Sequence, residues 1–435
     1  MSSDAFTKKR WLKLSLRGWL MSFTVFMLCV AIFSILFVRR SKVEYPMKHQ
    51  FAVSDPAFFG SAFSLANPVP VEGNKIELLQ NGDAIFGSML EAIRGAEMSV
   101  NFEAFLFESG KVGDRFLEAL MERAQAGVKV RVLLDGLGSG MKLDNADVDR
   151  LKKAGCLFAY YHPTKSWRID RINRRTHRRV LVVDGKVGFT GGVGFADLWE
   201  GNAQNPKNWR DIAARIEGPL VTQLQSAFQA HWVKCYGVPL NGPIDFPTLE
   251  AAGKLPAVAV ASESFSFAPM ALMQAVTFSS AVKTIYISNA YCAPSKSQVS
   301  MLVDAVKRGV QVRLLLPGHH MDQPLTKAAG RGAYGDLLKG GVEIFEYQPT
   351  MMHNKTMVVD GMLSVFGTSN FDARSAVINE EIDIAVYDVG FGQQMIDVFN
   401  QDLEKSLPYT LEDFKKRSLW ERFTEWVMIP FHSQV

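Results

Sequence analysis

The chain has 435 residues, 48% of them hydrophobic and 21% charged, long enough for two substantial cores and too apolar to be disordered. Its 48 Lys and Arg outnumber 44 Asp and Glu, but the surplus is local: residues 1 to 48 hold nine Lys or Arg and two Asp or Glu, net +7, which leaves −3 on everything after. A body with that balance is not a general nucleic-acid binder.

Residues 1–18 form a basic tail. Residues 19–38, WLMSFTVFMLCVAIFSILFV, carry no charge, and a run of this length predicts a single transmembrane helix. A cleaved signal peptide competes, but Arg39 and Arg40 stand where a small-residue cleavage site would be, which favours an uncleaved anchor. Lys8, Lys9, Arg10, Lys13 and Arg17 precede the run and Arg39, Arg40, Lys42 and Lys48 follow it. The side of the membrane is therefore left open, with a slight preference for an N-terminus inside. Residues 39–74 read as a linker.

From 75 to 245 the pattern is that of an α/β unit. AQAGVKVRVLLDG (124–136) and LKKAGCLFAYYHP (151–163) each read as a helix end, a Gly and a buried strand. KSWRIDRINRRTHRR (165–179) sets seven cations against Asp170. It reads as a solvated loop or, from its position, as a collector of anionic substrate. It leads into His177-Arg-Arg-Val-Leu-Val-Val-Asp184, then GGVGFAD (191–197), then Asp211 at the head of another strand in WRDIAARIEG.

Residues 246–410 repeat these features in the same order. AVKRGVQVRLLLPG (305–318) and LLKGGVEIFEYQP (337–349) lead to His353-Asn-Lys-Thr-Met-Val-Val-Asp360, GTSNFDARS (367–375) and Glu381 in INEEIDIAVYD. The fold class is thus α/β: one unit present twice, at a period far longer than a solenoid repeat. In each motif the strand alternation puts the histidine and the cation two places on upon the same face, while Asp-Gly begins a turn. If the copies pack face to face, His177, Arg179, His353 and Lys355 share one active site about a pseudo-twofold axis. Two histidines and two cations suit a phosphodiester. The cations neutralise non-bridging oxygens. One imidazole attacks phosphorus while the other, protonated, donates to the departing alkoxide. Asp211 and Glu381 are candidates to hold the distal ring nitrogens. Asp184 and Asp360 belong to the candidate catalytic set, although bracing the turns is the plainer role for them. Ser369 and Asn370 are candidate donors to the phosphate.

Paired motifs of this kind in a duplicated chain resemble the phospholipase D superfamily, over about residues 75 to 430. RINRRTHRRVLVVDG, GFTGG, WRDIAARIEG, SNAYCAP, the Tyr334 to Tyr347 segment and SNFDARSAVINEE are similar to its bacterial cardiolipin synthase branch. The resemblance implies transfer of a phosphatidyl group from one phosphatidylglycerol to another through a phosphohistidine, with release of glycerol, at a bacterial inner membrane. It implies His177 as nucleophile and His353 as acid and base. Two residues depart from the family pattern: Arg179 replaces its lysine, and Gly194 its asparagine, present in the second half as Asn370. An arginine filling the space of the missing amide would reconcile the two.

Rival readings are a lipid hydrolase using water, a nuclease and a non-catalytic lipid-binding scaffold. The net charge disfavours the nuclease, and intact His177 and His353 disfavour the scaffold. No cofactor is expected. Nor is a metal, since His319, His320 and Asp322 make only a weak ligand group. Cys29, Cys156, Cys235 and Cys292 are scattered and expected to be unpaired. Residues 411–435 predict an amphipathic helix with Leu419, Trp420, Phe423, Trp426 and Val427 on one face. Docking on the core is the leading reading, and contact with a lipid interface the second.

Overall fold

The computed structural model describes residues 16–37, 47–65, 69–163, 173–264 and 268–429, with side chains over 18–29 in the first of these stretches. The chain divides into two bodies, residues 1–42 and 43–435. In the first, Leu16–Phe37 is a helix of 22 residues. Among the described residues no helix is long and apolar enough to cross a membrane. The part of this helix with described side chains, 18–29, is by itself shorter than the roughly 20 residues a bilayer needs.

The second body contains the repeat. Its strands are β1 (Val71–Gln80), β2 (Ser99–Ala104), β3 (Lys129–Asp135), β4 (Leu157–Tyr161), β5 (Val180–Val183), β6 (Val187–Gly191) and β7 (Ile212–Glu217). Then come β8 (Leu255–Ala261), β9 (Thr284–Asn289), β10 (Cys292–Ala293), β11 (Gln311–Pro317), β12 (Glu343–Tyr347) and β13 (Lys355–Val359), followed by β14 (Leu363–Gly367), β15 (Phe371–Asp372), β16 (Ile382–Tyr387) and β17 (Ser406–Tyr409). β10 and β15 form a small parallel pair, and the other fifteen strands form one sheet, β17-β12-β11-β9-β13-β14-β16-β8-β1-β7-β6-β5-β2-β3-β4. Read outward from β8 and β1, the two halves have the same order over seven strands, and β17 adds an eighth at the edge of the second.

The halves therefore join edge to edge across an antiparallel β1/β8 ladder, where face-to-face packing was expected. The seam is irregular between Val71 and Asn74, and the buried Asn74 side chain repairs it. Its Nδ2 donates to the carbonyls of Val71 (2.8 Å) and Leu255 (2.9 Å), and its Oδ1 accepts from the Leu220 amide (2.8 Å). One apolar cluster runs across the seam, from Leu133, Val180 and Ile216 to Val358, Ile384 and Val386. Each half also has a core of its own on the other face.

Local sequence explains the repeated turns. Gly127, Gly155, Gly309 and Gly341, which precede β3, β4, β11 and β12, all have φ between 85° and 98°, a region open to glycine and strained for other residues. Asp184-Gly185 and Asp360-Gly361 take φ of 52° and 62°, and 53° and 66°. That is the geometry of the tight hairpins joining β5 to β6 and β13 to β14.

Residues 47–65 are not the expected linker. Phe58–Ser64 is a helix; Phe59 stacks on Tyr387 at 5.2 Å, and the Tyr387 hydroxyl donates to the Val53 carbonyl (2.7 Å). The aromatic run in FAVSDPAFFGSAF has apolar surface to bury, and it buries it in the second half's core. The C-terminus also departs from expectation. It holds two short helices, Leu411–Lys415 and Leu419–Met428. The second does not dock its apolar face on the core, because only Met428 is buried.

Candidate active site

Each histidine precedes a strand start, and the other half fixes its backbone. The His177 amide donates to the Glu380 carbonyl (2.8 Å) and the Glu380 amide to the Arg175 carbonyl (2.9 Å). In the mirror place the His353 amide donates to the Arg210 carbonyl (2.7 Å) and the Arg210 amide to the Met351 carbonyl (2.9 Å). Glu380 and Arg210 immediately precede the two acids, so the pairing exchanges them between halves. His177 Nδ1 lies 2.8 and 2.9 Å from the Glu381 carboxylate, and His353 Nδ1 lies 2.8 Å from Asp211 Oδ2. With each Nδ1–H donated to a carboxylate, each Nε2 is left as the reactive nitrogen.

The acids are held as firmly as the histidines. Glu381 accepts from Thr368 Oγ1 (2.6 Å), Ser375 Oγ (2.7 Å) and Asn379 Nδ2 (3.2 Å). Asp211 accepts from Trp199 Nε1 (2.8 Å) and from the Ile212 amide (2.8 Å). Trp199, Trp209 and Tyr291 also surround the His353 ring, with centroids 5.2, 5.5 and 5.7 Å away, and Phe105 sits 5.0 Å from His177. Tyr291 in turn donates its hydroxyl to Asp322 (2.8 Å). Most of these partners escaped the sequence reading. Ser375 and Asn379 lie inside SNFDARSAVINEE and were within its reach, whereas Trp199 has no counterpart in the second copy to mark it.

The two cations complete the cluster. Lys355 Nζ is 3.1 Å from each ring nitrogen of His353 and donates to its carbonyl (2.8 Å). Arg179 donates from Nε to the Val193 carbonyl (3.1 Å) and from Nη1 to the His177 carbonyl (2.7 Å). His177, Arg179, His353 and Lys355 are all buried. Burial, then Arg179, Lys355 and Arg374, push the His177 imidazole well below its usual range. Burial, then Lys355, push His353 down to about 4. The Lys355 ammonium is lowered to about 7, first by burial and then by Arg179 against the pull of the acids. Burial raises Glu381 to about 7. The positive charges of Arg179 and Lys355 bear on both histidines, so the four groups converge.

Ser369 and Asn370 lie on the turn between β14 and β15. The Ser369 amide donates to Asp383 (3.1 Å) and the Asn370 amide to Ser375 Oγ (3.2 Å). Asn370 Oδ1 is buried without a hydrogen-bond partner among the described residues.

Asp184 and Asp360 lie elsewhere. Asp184 accepts from the amides of Glu97, Met98 and Ser99 (2.7–3.0 Å), and Asp360 from those of Val282, Lys283 and Thr284 (2.7–2.9 Å). Each lies seven positions along near-extended chain from its histidine, roughly 20 Å. They tie each hairpin to the start of β2 or β9 and do not reach the reacting atoms.

The expectation at position 194 changes. Gly194 does not leave room for Arg179: a Cβ there would lie 2.9 Å from the Trp199 ring and 3.1 Å from Leu106. The indole, rather than the guanidinium, fills that space. In the basic stretch, residues 164–172 lie outside the described ones. Of the rest, Arg175 pairs with Asp135 (3.1 Å), and the fully buried Arg178 donates to the carbonyls of Ala227, Ser262 and Glu381. Both satisfy buried acceptors instead of collecting substrate. As for metals, His231, Glu263 and Glu380 lie close enough to hold an ion. Arg178 and Lys234 already pair with Glu263, and Glu103 lies 2.6 Å from His231. Burial and Arg178 oppose charge on His231, but Glu103 and Glu380 outweigh them and its pKa is raised. Both ring nitrogens of His231 face carboxylates, Nδ1 that of Glu103 and Nε2 that of Glu380 (2.9 Å), so the cluster is a salt-bridge network. The His319 and His320 rings adjoin at 3.8 Å, while Asp322 is engaged by Tyr291. All four cysteines are free.

A duplicated α/β sheet in which each half's acid holds the other half's histidine, with a cation beside each ring, defines a phospholipase D-like protein. The chain belongs to the family described as "Cardiolipin synthase, PLD-like domain", whose model matches residues 89–232 and 275–403. It is 31% identical over 373 residues to a cardiolipin synthase of Clostridium perfringens, covering 83% of this chain and 77% of that one. It is 31% identical over 353 residues to the minor cardiolipin synthase ClsB of Bacillus subtilis, covering 81% of this chain and 87% of the relative. Among solved structures, phosphatidylserine synthase of Haemophilus influenzae aligns with a TM-score of 0.65 at 13% identity, covering 85% of this chain and 96% of that one. At that identity the match speaks for the fold alone.

Proposed function

We propose that the protein is a membrane-anchored phosphatidyltransferase that makes cardiolipin and glycerol from two phosphatidylglycerols. The observation that carries it is the exchange of acids between halves, His177 with Glu381 and His353 with Asp211, around Arg179 and Lys355. The names of the relatives support the substrate.

The phosphodiester is anionic. Bound between Arg179 and Lys355 it offsets their repulsion of the imidazoles and raises the pKa of Lys355 and both histidines. His177 Nε2 attacks phosphorus, the bond to the glycerol oxygen breaks, and His353 gives its proton to that oxygen. With its pKa raised by the bound phosphodiester, His353 carries the proton that the basic alkoxide takes as its bond to phosphorus breaks. A hydroxyl of the second phosphatidylglycerol then gives its proton to His353 and attacks phosphorus, and His177 leaves. Asn370 Oδ1, and the cluster of Tyr291 and Asp322, are candidate contacts to the two headgroups. The charge-free run 19–38, helical over Leu16–Phe37, supports the anchor.

Labelled phosphatidylglycerol tests the reaction: cardiolipin with glycerol is expected, and phosphatidic acid alone would make the protein a hydrolase. His177→Ala and His353→Ala should each abolish turnover. With a nitrophenyl phosphodiester, whose leaving group needs no proton, His353→Ala should still form phosphohistidine and His177→Ala should not. The opposite pattern would exchange their roles.

A further inference from the structure

The helix Leu419–Met428 starts from a capping box at Ser418 and Glu421 and is strapped to the body. Glu421 pairs with Arg331 (2.8 Å), Glu425 with Arg417, and Met428 is buried. Strapping fixes which way the helix faces, and that face is apolar and open: Trp420 is 73% exposed, Trp426 66%, Phe423 51% and Leu419 83%. Of the two acids of the helix, Glu425 turns inward to Arg417, while Glu421 reaches Arg331 and stays partly exposed. Arg422 is exposed on the helix itself, and the short helix before it exposes Lys415 and Lys416 beside Glu412 and Asp413, Lys416 pairing with Glu412 (3.5 Å).

The apolar surface continues toward the active site. The helix lies along Pro324–Lys339: Phe414 packs at Gly335, Glu421 reaches Arg331, and Trp426 and Ile429 line a groove of about 990 Å³ with Pro294, three residues beyond Tyr291. Three further apolar residues are exposed in the segments that follow β3, β6 and β11: Met141 by 81%, Leu198, next to Trp199, by 40%, and Leu325, at the start of Pro324–Lys339, by 59%. Both halves contribute to this set.

We infer that the helix Leu419–Met428 and the exposed residues Met141, Leu198 and Leu325 form a bilayer-contact surface that seats the mouth of the active site on an anionic lipid membrane. Tryptophan and phenylalanine beside outward basic groups suit the boundary between headgroups and acyl chains. The inference takes its partner from the proposed phospholipid substrate.

The test uses the full chain and vesicles of phosphatidylglycerol and phosphatidylcholine with brominated acyl chains. Bromine should quench part of the tryptophan emission, and Trp420→Phe with Trp426→Phe should remove a measurable share of that quenching. Phe423→Glu should lower transfer on vesicles at least tenfold and leave turnover of a monomeric short-chain phosphatidylglycerol unchanged. Equal quenching in the double variant, or equal loss on both substrates, would overturn the inference. So would a homodimer in sedimentation that Phe423→Glu dissociates, because a second copy would then cover the face. If the quenching behaves as expected while no cardiolipin forms, the surface stands and the proposed reaction fails.

Discussion

A lysine held near neutrality by burial is a poor resting state and a good receptor. At pH 8 the empty site leaves Lys355, lowered to about 7, largely uncharged. An anion between it and Arg179 raises that pKa, so binding of inorganic phosphate at pH 8 should take up protons, and at pH 6, where Lys355 is already charged, its contribution should vanish. Calorimetry in two buffers of different ionisation enthalpy reads the proton count; net release at pH 8 would contradict the assignment. Position 194 yields a second expectation. Since the Trp199 indole adjoins Gly194 and donates to Asp211, Gly194→Asn should push the indole off Asp211. That would cost Asp211 one of its buried hydrogen bonds, roughly 0.5–1.5 kcal/mol, loosen its hold on His353 and slow the step that uses it. Arg179→Lys should weaken phosphate binding separately. In a double-mutant cycle the two losses should add; a rescue would mean that Arg179 and residue 194 share a space after all.

At the scale of elements, the aspartates that close the two motifs are hairpin braces. Each accepts three amides at the start of a neighbouring strand and sits in a left-handed turn that aspartate and asparagine tolerate better than most residues. Asp184→Ala or Asp360→Ala should therefore lower stability by roughly 1–3 kcal/mol through unpaired amides, while turnover per folded molecule stays near the parent value. Thermal melting beside active-site titration distinguishes this from catalysis, for which turnover would fall with the melt unchanged.

For the whole molecule, the exchange of acids means that neither half holds a complete histidine pair. Arg210 reinforces it, reaching from the first half to Asp402 in the second (3.0 Å). Asp211→Asn should then impair the acid step of His353 while His177 still labels with a nitrophenyl phosphodiester, and Glu381→Gln should suppress labelling itself. Each change lies in the half opposite to the histidine it affects. Labelling lost in Asp211→Asn and kept in Glu381→Gln would mean that the pairs work within halves.

The sequence by itself determined the duplicated α/β unit, both histidines, both cations and both acids, because these are short-range patterns: alternation along strands, glycines at positive φ, and a spacing that recurs. Only the tertiary structure decided how the halves meet and which acid serves which histidine. Those depend on the β1/β8 edge pairing and on backbone bonds from Glu380 and Arg210, contacts between residues far apart in the chain that leave no local period. Trp199 was invisible for the same reason, since its role comes from the hole at Gly194 and the carboxylate of Asp211, which converge only in the folded sheet. The outward face of Leu419–Met428 was undecided too: amphipathic spacing marks an apolar side, and the ion pair of Glu421 with Arg331 and the burial of Met428 determine that this side turns away from the core.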